Sequence, residues 1–289
     1  MLILPGPIVS AAWVSEHAAH PDLRIVDLRW SLAGPPGREL YAAGHIPGAI
    51  FLDLDHDISA PRGVGPGRHP IPEPTRLEQV LSERGIGDGH AVVAYDDAGG
   101  TVASRLWWLY EHFGHTGTAA ILDGGIPAWT DAGGVLTTAA PDHAPATWTA
   151  RAPRADDVVD AAIVDARRLD PDTLLLDVRA PERYRGEVEP IDPRAGHIPG
   201  AVSAPTAGTL RADGRLLPAE VLARRFHALG ATNGRHVIVA CGSGVNATQT
   251  ILAMRLAGMD AQLYEGSWSD WSSDPTRPAA IGPEPGGAA

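Results

Sequence analysis

Two stretches of this chain carry the same landmarks in the same order, and that ordered duplication constrains its fold more than any other feature. In the first half Ile25-Val26-Asp27-Leu28-Arg29 precedes Gly44-His45-Ile46-Pro47-Gly48-Ala49; in the second Leu175-Leu176-Asp177-Val178-Arg179 precedes Gly196-His197-Ile198-Pro199-Gly200-Ala201. Each half continues with an apolar run, Ala91-Val92-Val93-Ala94-Tyr95 or Val237-Ile238-Val239-Ala240, and then a helix-like segment. Each closes with Leu122-Asp123-Gly124-Gly125 and Trp129, or with Leu263-Tyr264-Glu265-Gly266 and Trp271. Two copies indicate a duplicated domain, because a solenoid needs three or more stacked units. A length of 289 residues suits two domains. Short apolar runs alternating with helical patterns predict, in each copy, an α/β fold: a mostly parallel sheet with helices on both faces. Val102, Leu106, Leu109, Tyr110 and Phe113 recur at helical spacing, and Gly114 is the expected C-cap. The copies are expected over residues 1–140 and 158–274. Between them lies a linker at 141–157, interrupted by Pro141, Pro145 and Pro153, and after them a loose, proline- and glycine-rich tail over 275–289.

Charge removes one class of partner. Lys plus Arg is 23 and Asp plus Glu is 35, a net charge of −12, with no basic stretch to neutralise a phosphate backbone, so nucleic acid is not expected. The opening Met1-Leu2-Ile3-Leu4-Pro5-Gly6 lacks a cationic region, and no run approaches the roughly 18 apolar residues of a membrane span. A cytoplasmic protein with no membrane partner is the expectation, and a single cysteine, which allows no intramolecular disulfide, suits a reducing compartment. His112 and His115 straddle a helix end without a third ligand, and Gly63-Val64-Gly65-Pro66-Gly67 lacks a following lysine. Neither a metal nor another cofactor is expected.

The chemistry points to that one cysteine. Cys241 opens Cys241-Gly242-Ser243-Gly244-Val245-Asn246, directly after an apolar strand and before a helix-like segment from Ala247 to Leu256. A strand that empties through a glycine-rich turn into a helix aims its N–H groups at the turn, where the helix dipole favours negative charge. The thiolate is the nucleophilic form, so such a position favours reactivity. A buried core cysteine would not need glycines on both sides of Ser243. In the first copy the corresponding strand ends in Asp96-Asp97-Ala98, which holds no sulfur nucleophile. Asp27 and Arg29, like Asp177 and Arg179, occur in both copies, so an ion pair tying the loops is their simplest role; the same logic makes His45 and His197 structural. Trp268 and Trp271 are expected to pack.

With Asp-x-Arg, Gly-His-Ile-Pro-Gly-Ala, the cysteine loop and Tyr264-Glu265-Gly266-Ser267-Trp268 in order, the chain resembles the tandem-domain rhodanese family of sulfurtransferases from about Val9 to Trp271. The resemblance implies an inactive N-terminal copy and a catalytic C-terminal one. Within the family, Cys-Arg-Lys-Gly-Val-Thr is the loop of thiosulfate sulfurtransferases and Cys-Gly-Ser-Gly-Val-Thr that of 3-mercaptopyruvate sulfurtransferases. Gly242 and Ser243 resemble the second group, and Asn246 departs from both by replacing threonine. The resemblance implies that Cys241 becomes a persulfide, with Gly242, Gly244, Val245 and Asn246 supplying the surrounding loop. Ser243 resembles one member of a serine, histidine and aspartate set; position from the Gly-His-Ile-Pro-Gly motif matches His69 and Asp55 to the other two, which would place the site between the copies. Arg183 matches the arginine that binds the anionic part of the donor, and Arg194, with Arg185 as competitor, is the nearest match to a second.

The partners implied are a small-molecule sulfur donor and, because no second thiol resolves the persulfide, an external acceptor such as a thioredoxin-type dithiol protein, a small thiol or cyanide. Thiosulfate:cyanide transfer is the nearer alternative, and a non-enzymatic persulfide carrier or docking module the more distant one. Cysteine phosphatases share the fold but need an arginine where this chain has Ala247.

Overall fold

A strand in the middle of a parallel sheet covered on both faces has no solvent side, so it reads as an unbroken apolar run. The two runs singled out above behave this way in the computed structural model, which describes residues 2–232 and 234–286. Ala91–Tyr95 is buried along its full length and His236–Ala240 along all but its first residue.

Unit 1 comprises Met1–Ala60, Pro72–Arg154 and Ala212–Leu216. Its elements are β1 (Ile8–Val9), α1 (Ala11–His17), β2 (Leu23–Asp27), α2 (Gly37–Ala43), β3 (Ile50–Phe51), α3 (Pro74–Glu83), β4 (Ala91–Tyr95), α4 (Ala103–His112), β5 (Ala119–Leu122) and α5 (Gly125–Asp131). Unit 2 comprises Pro61–Ile71, Ala155–Arg211 and Leu217–Ala289. It contains β6 (Val158–Val159), α6 (Ala161–Arg167), β7 (Thr173–Asp177), α7 (Pro181–Tyr184), β8 (Val202–Ser203), α8 (Ala219–Ala228), β9 (His236–Ala240), α9 (Asn246–Leu256), β10 (Gln262–Tyr264) and α10 (Ser267–Trp271). The sheet orders are β1-β5-β4-β2-β3 and β6-β10-β9-β7-β8, the same arrangement strand for strand, and every pairing is parallel. Val14, Ile25, Val93 and Trp129 anchor the first core; Val164, Leu175, Ile238 and Trp271 anchor the second.

The repeated landmarks are structural, as their presence in both copies implied. Arg29 Nη2 donates to Asp27 at 2.6 Å and to the Gly44 carbonyl at 2.8 Å, and Arg179 Nη2 donates to Asp177 at 2.6 Å and to the Gly196 carbonyl at 2.6 Å. Each pair ties the end of a central strand to the first glycine of Gly-His-Ile-Pro-Gly. His45 stacks on Tyr41 and His197 on Tyr184, both at 3.8 Å and 9°.

Two expectations about connecting segments need correction. The stretch expected as a linker is strapped onto unit 1 as far as Arg154: Ala146 donates to the Ser82 carbonyl at 3.0 Å, Asp88 to that of Thr147 at 2.9 Å, and Trp148 is buried against His115 at 4.5 Å. The tail expected to be loose is tied down over 275–286. Trp271 Nε1 donates to the Pro278 carbonyl at 2.6 Å, His197 and Ala280 exchange backbone hydrogen bonds at 2.9 Å, and Gly200 donates to Pro285 at 2.8 Å. Proline lacks an N–H but keeps its carbonyl, so such a segment can serve as acceptor without forming a helix or strand. Residues 287–289 of that expectation lie outside the described residues. Among the described residues no helix is long and apolar enough to cross a membrane.

Candidate functional site

The end of β9 delivers Cys241 into a turn that only a glycine-rich sequence can make. Gly244 has φ +79°, and a Cβ there would lie 2.4 Å from the Glu265 carbonyl oxygen, so a side chain at this position is excluded both by conformation and by space. The turn brings the Gly244 N–H to 3.1 Å from Cys241 Sγ. Neighbouring α10 pins the loop from the other side. Cys241 N–H donates to Ser267 Oγ at 3.0 Å, while Trp268 and Ser269 donate to the carbonyls of Cys241 and Gly242 at 3.0 and 2.9 Å. Ser267 has φ +52°, the one positive value at a non-glycine among the described residues. Its hydroxyl also donates to the Tyr264 carbonyl at 2.9 Å, so the strained conformation is held by the same side chain that receives the cysteine N–H. Trp268 packs over the Arg179 guanidinium at 4.8 Å and Trp271 is fully buried, so both are packing residues.

Two residues beyond the cysteine, Ser243 Oγ lies 2.7 Å from His69 Nδ1, and both side chains are buried. The two residues that the family resemblance associated, 174 positions apart, are therefore in hydrogen-bond contact. His69 comes from residues 61–71, which belong to unit 2. That segment is fastened by Arg68 N–H to Ser269 Oγ at 3.1 Å and by Ile71 N–H to Glu265 Oε1 at 2.7 Å. Asp55 belongs to unit 1, where its carboxylate accepts from Trp30 Nε1 at 2.8 Å and its N–H donates to Asp53 at 2.9 Å. In the loop itself Val245 is buried just before α9, and Asn246 is the exposed first residue of that helix, one position earlier than expected.

The three arginines separate cleanly. Arg183 Nη2 donates to Glu189 Oε1 at 2.6 Å and to Asp192 Oδ2 at 3.1 Å, and a Cβ on Gly242 would lie 3.5 Å from its Nη1, so its guanidinium faces the cysteine loop. Arg194, expected as the second donor ligand, is committed elsewhere. It donates to the carbonyls of Trp271, Ser272, Asp274 and Arg277 at 2.8–3.0 Å, which fastens the residues after α10. Arg185 is half-exposed and forks onto Glu187 at 2.7 and 2.8 Å, so it too is not directed at the loop. The sequence reading missed Arg68, Glu189 and Asp192. Arg68 forms an ion pair with Asp192, and a Cβ on Gly242 would lie 3.1 Å from Arg68 Nη2. Burial holds the Asp192 carboxyl above its ordinary range, despite the charges of Arg68 and Arg183. Burial pushes Glu189 the same way, but there the Arg183 hydrogen bond and the N–H groups of Asp192 and Ile191 win and its carboxyl falls below the usual range.

A buried thiol that receives one loop N–H, a serine–histidine pair two residues on and guanidiniums above the intervening glycine form a site suited to an anionic, polarisable ligand. Residues 10–132 and 160–274 each match the rhodanese-like domain. Two bacterial relatives carry provisional names. A 3-mercaptopyruvate sulfurtransferase of Pseudomonas aeruginosa is 44% identical over 95% of this chain and 98% of its own; a thiosulfate sulfurtransferase, SseB of Mycobacterium tuberculosis, is 39% identical over 95% and 96%. The crystal structure of SseA, a 3-mercaptopyruvate sulfurtransferase from Escherichia coli, superposes with a TM-score of 0.80 at 29% identity, covering 91% of this chain and 99% of that one.

Proposed function

The chain belongs to the rhodanese-like domain family, and on that premise we propose that it is a sulfurtransferase whose unit 2 takes sulfur from 3-mercaptopyruvate onto Cys241 and passes it to an external thiol. The observation that carries this reading is the loop itself: one turn holds Cys241 Sγ 3.1 Å from the Gly244 N–H and Ser243 Oγ 2.7 Å from His69.

The Cys241 thiolate attacks the sulfur of the donor, an S–S bond forms, and the donor's C–S bond breaks. The electron pair stays with the carbon, leaving the enolate of pyruvate, which takes up a proton to give pyruvate. Cys241 is left as a persulfide, stabilised by the N–H groups of the loop from Gly242 to Ala247. The Ser243–His69 pair relays the proton, with Asp55 as the third member expected from the family pattern, and Arg183 binds the donor carboxylate. The acceptor thiolate then attacks the outer sulfur, and Cys241 leaves as thiolate. Two half-reactions through a covalent intermediate give ping-pong kinetics. The acceptor is a dithiol protein of the thioredoxin type, a small thiol or cyanide, and the cytoplasm, where thiols are kept reduced, is the compartment this reading assigns.

The test is intact mass after exposure to each donor. With 3-mercaptopyruvate the protein gains one sulfur, Cys241→Ser gains none, and steady-state turnover of that variant falls by at least about a thousandfold. Loading by thiosulfate alone reassigns the donor. Loading once without turnover in excess thiol makes the protein a carrier.

A further inference from the structure

The two copies exchange one segment each. Residues 61–71 follow the third strand of the first copy yet belong to unit 2, and residues 212–216, in the corresponding stretch of the second copy, belong to unit 1. Ile71 and Leu216 stand equally far ahead of α3 and α8, which begin at Pro74 and Ala219. Both arms are fastened in the same way, to the carboxylate that directly follows β10 or β5: Ile71 N–H donates to Glu265 Oε1 at 2.7 Å and Leu216 N–H to Asp123 Oδ1 at 2.9 Å. The arm on unit 2 carries His69, whose Nδ1 lies 2.7 Å from Ser243 Oγ; counted from the same helix starts, the matching position in the other arm is Gly214.

The arm is stiff where the tether grips it. Pro70 and Pro72 fix their own φ and restrict His69 and Ile71, which precede them, to extended backbone. Few soft torsions therefore separate the His69 ring from the Ile71 N–H, and a hydrogen bond at one sets the place of the other. Glu265 also meets the nucleophile's loop, since a Cβ on Gly244 would lie 2.4 Å from its carbonyl oxygen. One residue thus touches the cysteine loop with its main chain and the histidine arm with its side chain.

We infer that Glu265 is a positioning residue for the proton relay: its carboxylate holds the 61–71 arm in the register that brings His69 to Ser243, while Asp123, at the same place in unit 1, ties an arm that has glycine there. The inference rests on the sulfurtransferase reading of unit 2.

The experiment is steady-state kinetics with 3-mercaptopyruvate on the full chain, its Glu265→Met, Glu265→Ala, Glu265→Gln and Asp123→Ala variants, and Glu265→Met combined with Ser243→Ala, with thermal midpoints for all. Glu265→Met keeps the stem and removes the acceptor; kcat is expected to fall about 10- to 30-fold with KM within about twofold of wild type, because the relay and not the donor site is displaced. Glu265→Gln still offers an oxygen to the Ile71 N–H and recovers at least about half of wild-type kcat. Asp123→Ala loses the matching hydrogen bond and lowers the thermal midpoint, yet leaves kcat within about twofold. In the Ser243→Ala background Glu265→Met lowers kcat by less than about twofold further, a dependence that a purely structural tie would not show. Glu265→Ala carries the comparison if methionine unfolds the protein. A kcat within about twofold of wild type in the folded Glu265→Met or Glu265→Ala protein overturns the inference and leaves the sulfurtransferase reading intact. So does an equal loss from Asp123→Ala, or a loss from Glu265→Met that persists in full without Ser243. A wild-type protein that accepts sulfur from neither 3-mercaptopyruvate nor thiosulfate removes both readings.

Discussion

The loop after β4 and the loop after β9 are the same turn put to opposite uses. In unit 1 the first residue of the turn is Asp96, and its carboxylate accepts from the N–H groups of Ala98, Gly100, Val102 and Ala103 at 2.9, 2.8, 2.8 and 3.0 Å. In unit 2 that place is taken by Cys241, whose sulfur receives the Gly244 N–H at 3.1 Å. A carboxylate has two oxygens, a full charge and lone pairs for all four donors, so it caps the start of α4 from within and closes the cradle. A thiol is a weaker acceptor with a single atom to offer, and the concavity stays available for the sulfur it receives. The Asp–Arg tie and the Tyr–His stack, by contrast, repeat: the main-chain contacts agree to within 0.2 Å (2.8 and 2.6 Å), and the ring geometry is the same, 3.8 Å and 9° in both. The same backbone cradle is therefore filled by a carboxylate at its first residue in unit 1 and receives a thiol at that place in unit 2.

Replacing the internal anion strikes that comparison hardest. Asp96→Ala leaves four N–H groups, three of them buried, without their acceptor and is expected to destabilise the protein by about 3 kcal/mol or more in chemical denaturation. Asp96→Cys in a Cys241→Ser background tests whether the cradle alone makes a sulfur-accepting thiol. We expect no sulfur gain by mass, because Asp97 and Ala98 stand where unit 2 has Gly242 and Ser243; a gain would make the backbone sufficient. A smaller effect follows from the side chains that only unit 2 has. Ser243→Ala and His69→Asn should each lower kcat with mercaptopyruvate by roughly 100-fold, and the double variant by little more than either, as befits a pair acting through one proton. Losses that multiply would mean the two residues act separately. The smallest effect is expected at Asn246. It is exposed at the first turn of α9, so Asn246→Thr should change kcat/KM by less than about threefold, and a larger change would place this side chain in contact with the reaction.

Much of this was legible because it is local. The duplication, the parallel α/β class and the place of Cys241 at the end of a strand and the start of a glycine turn depend on strand runs, turn glycines and helix starts, whose signals lie within a few residues of one another. The Asp27–Arg29 and Asp177–Arg179 ties could be read because the partners are two residues apart at the end of a strand. His69 was within reach only through the family pattern, since no spacing rule pairs residues 174 apart. The arginines show the limit. Arg194 and Arg185 have the same chemistry as Arg183 and lie close to it in sequence, yet one fastens the residues after α10 and another faces solvent.

The sequence alone determined that there are two copies of one parallel α/β fold and that only the second can carry a sulfur nucleophile, because both follow from residue type and short-range periodicity. Tertiary structure alone decided that residues 61–71 complete unit 2, that residues 275–286 are fastened, and that Arg68, 124 positions from its partner Asp192, joins Arg183 over Gly242. A guanidinium on a flexible stem takes its role from the acceptors that the fold brings within reach, and those are fixed by long-range packing that no local pattern records.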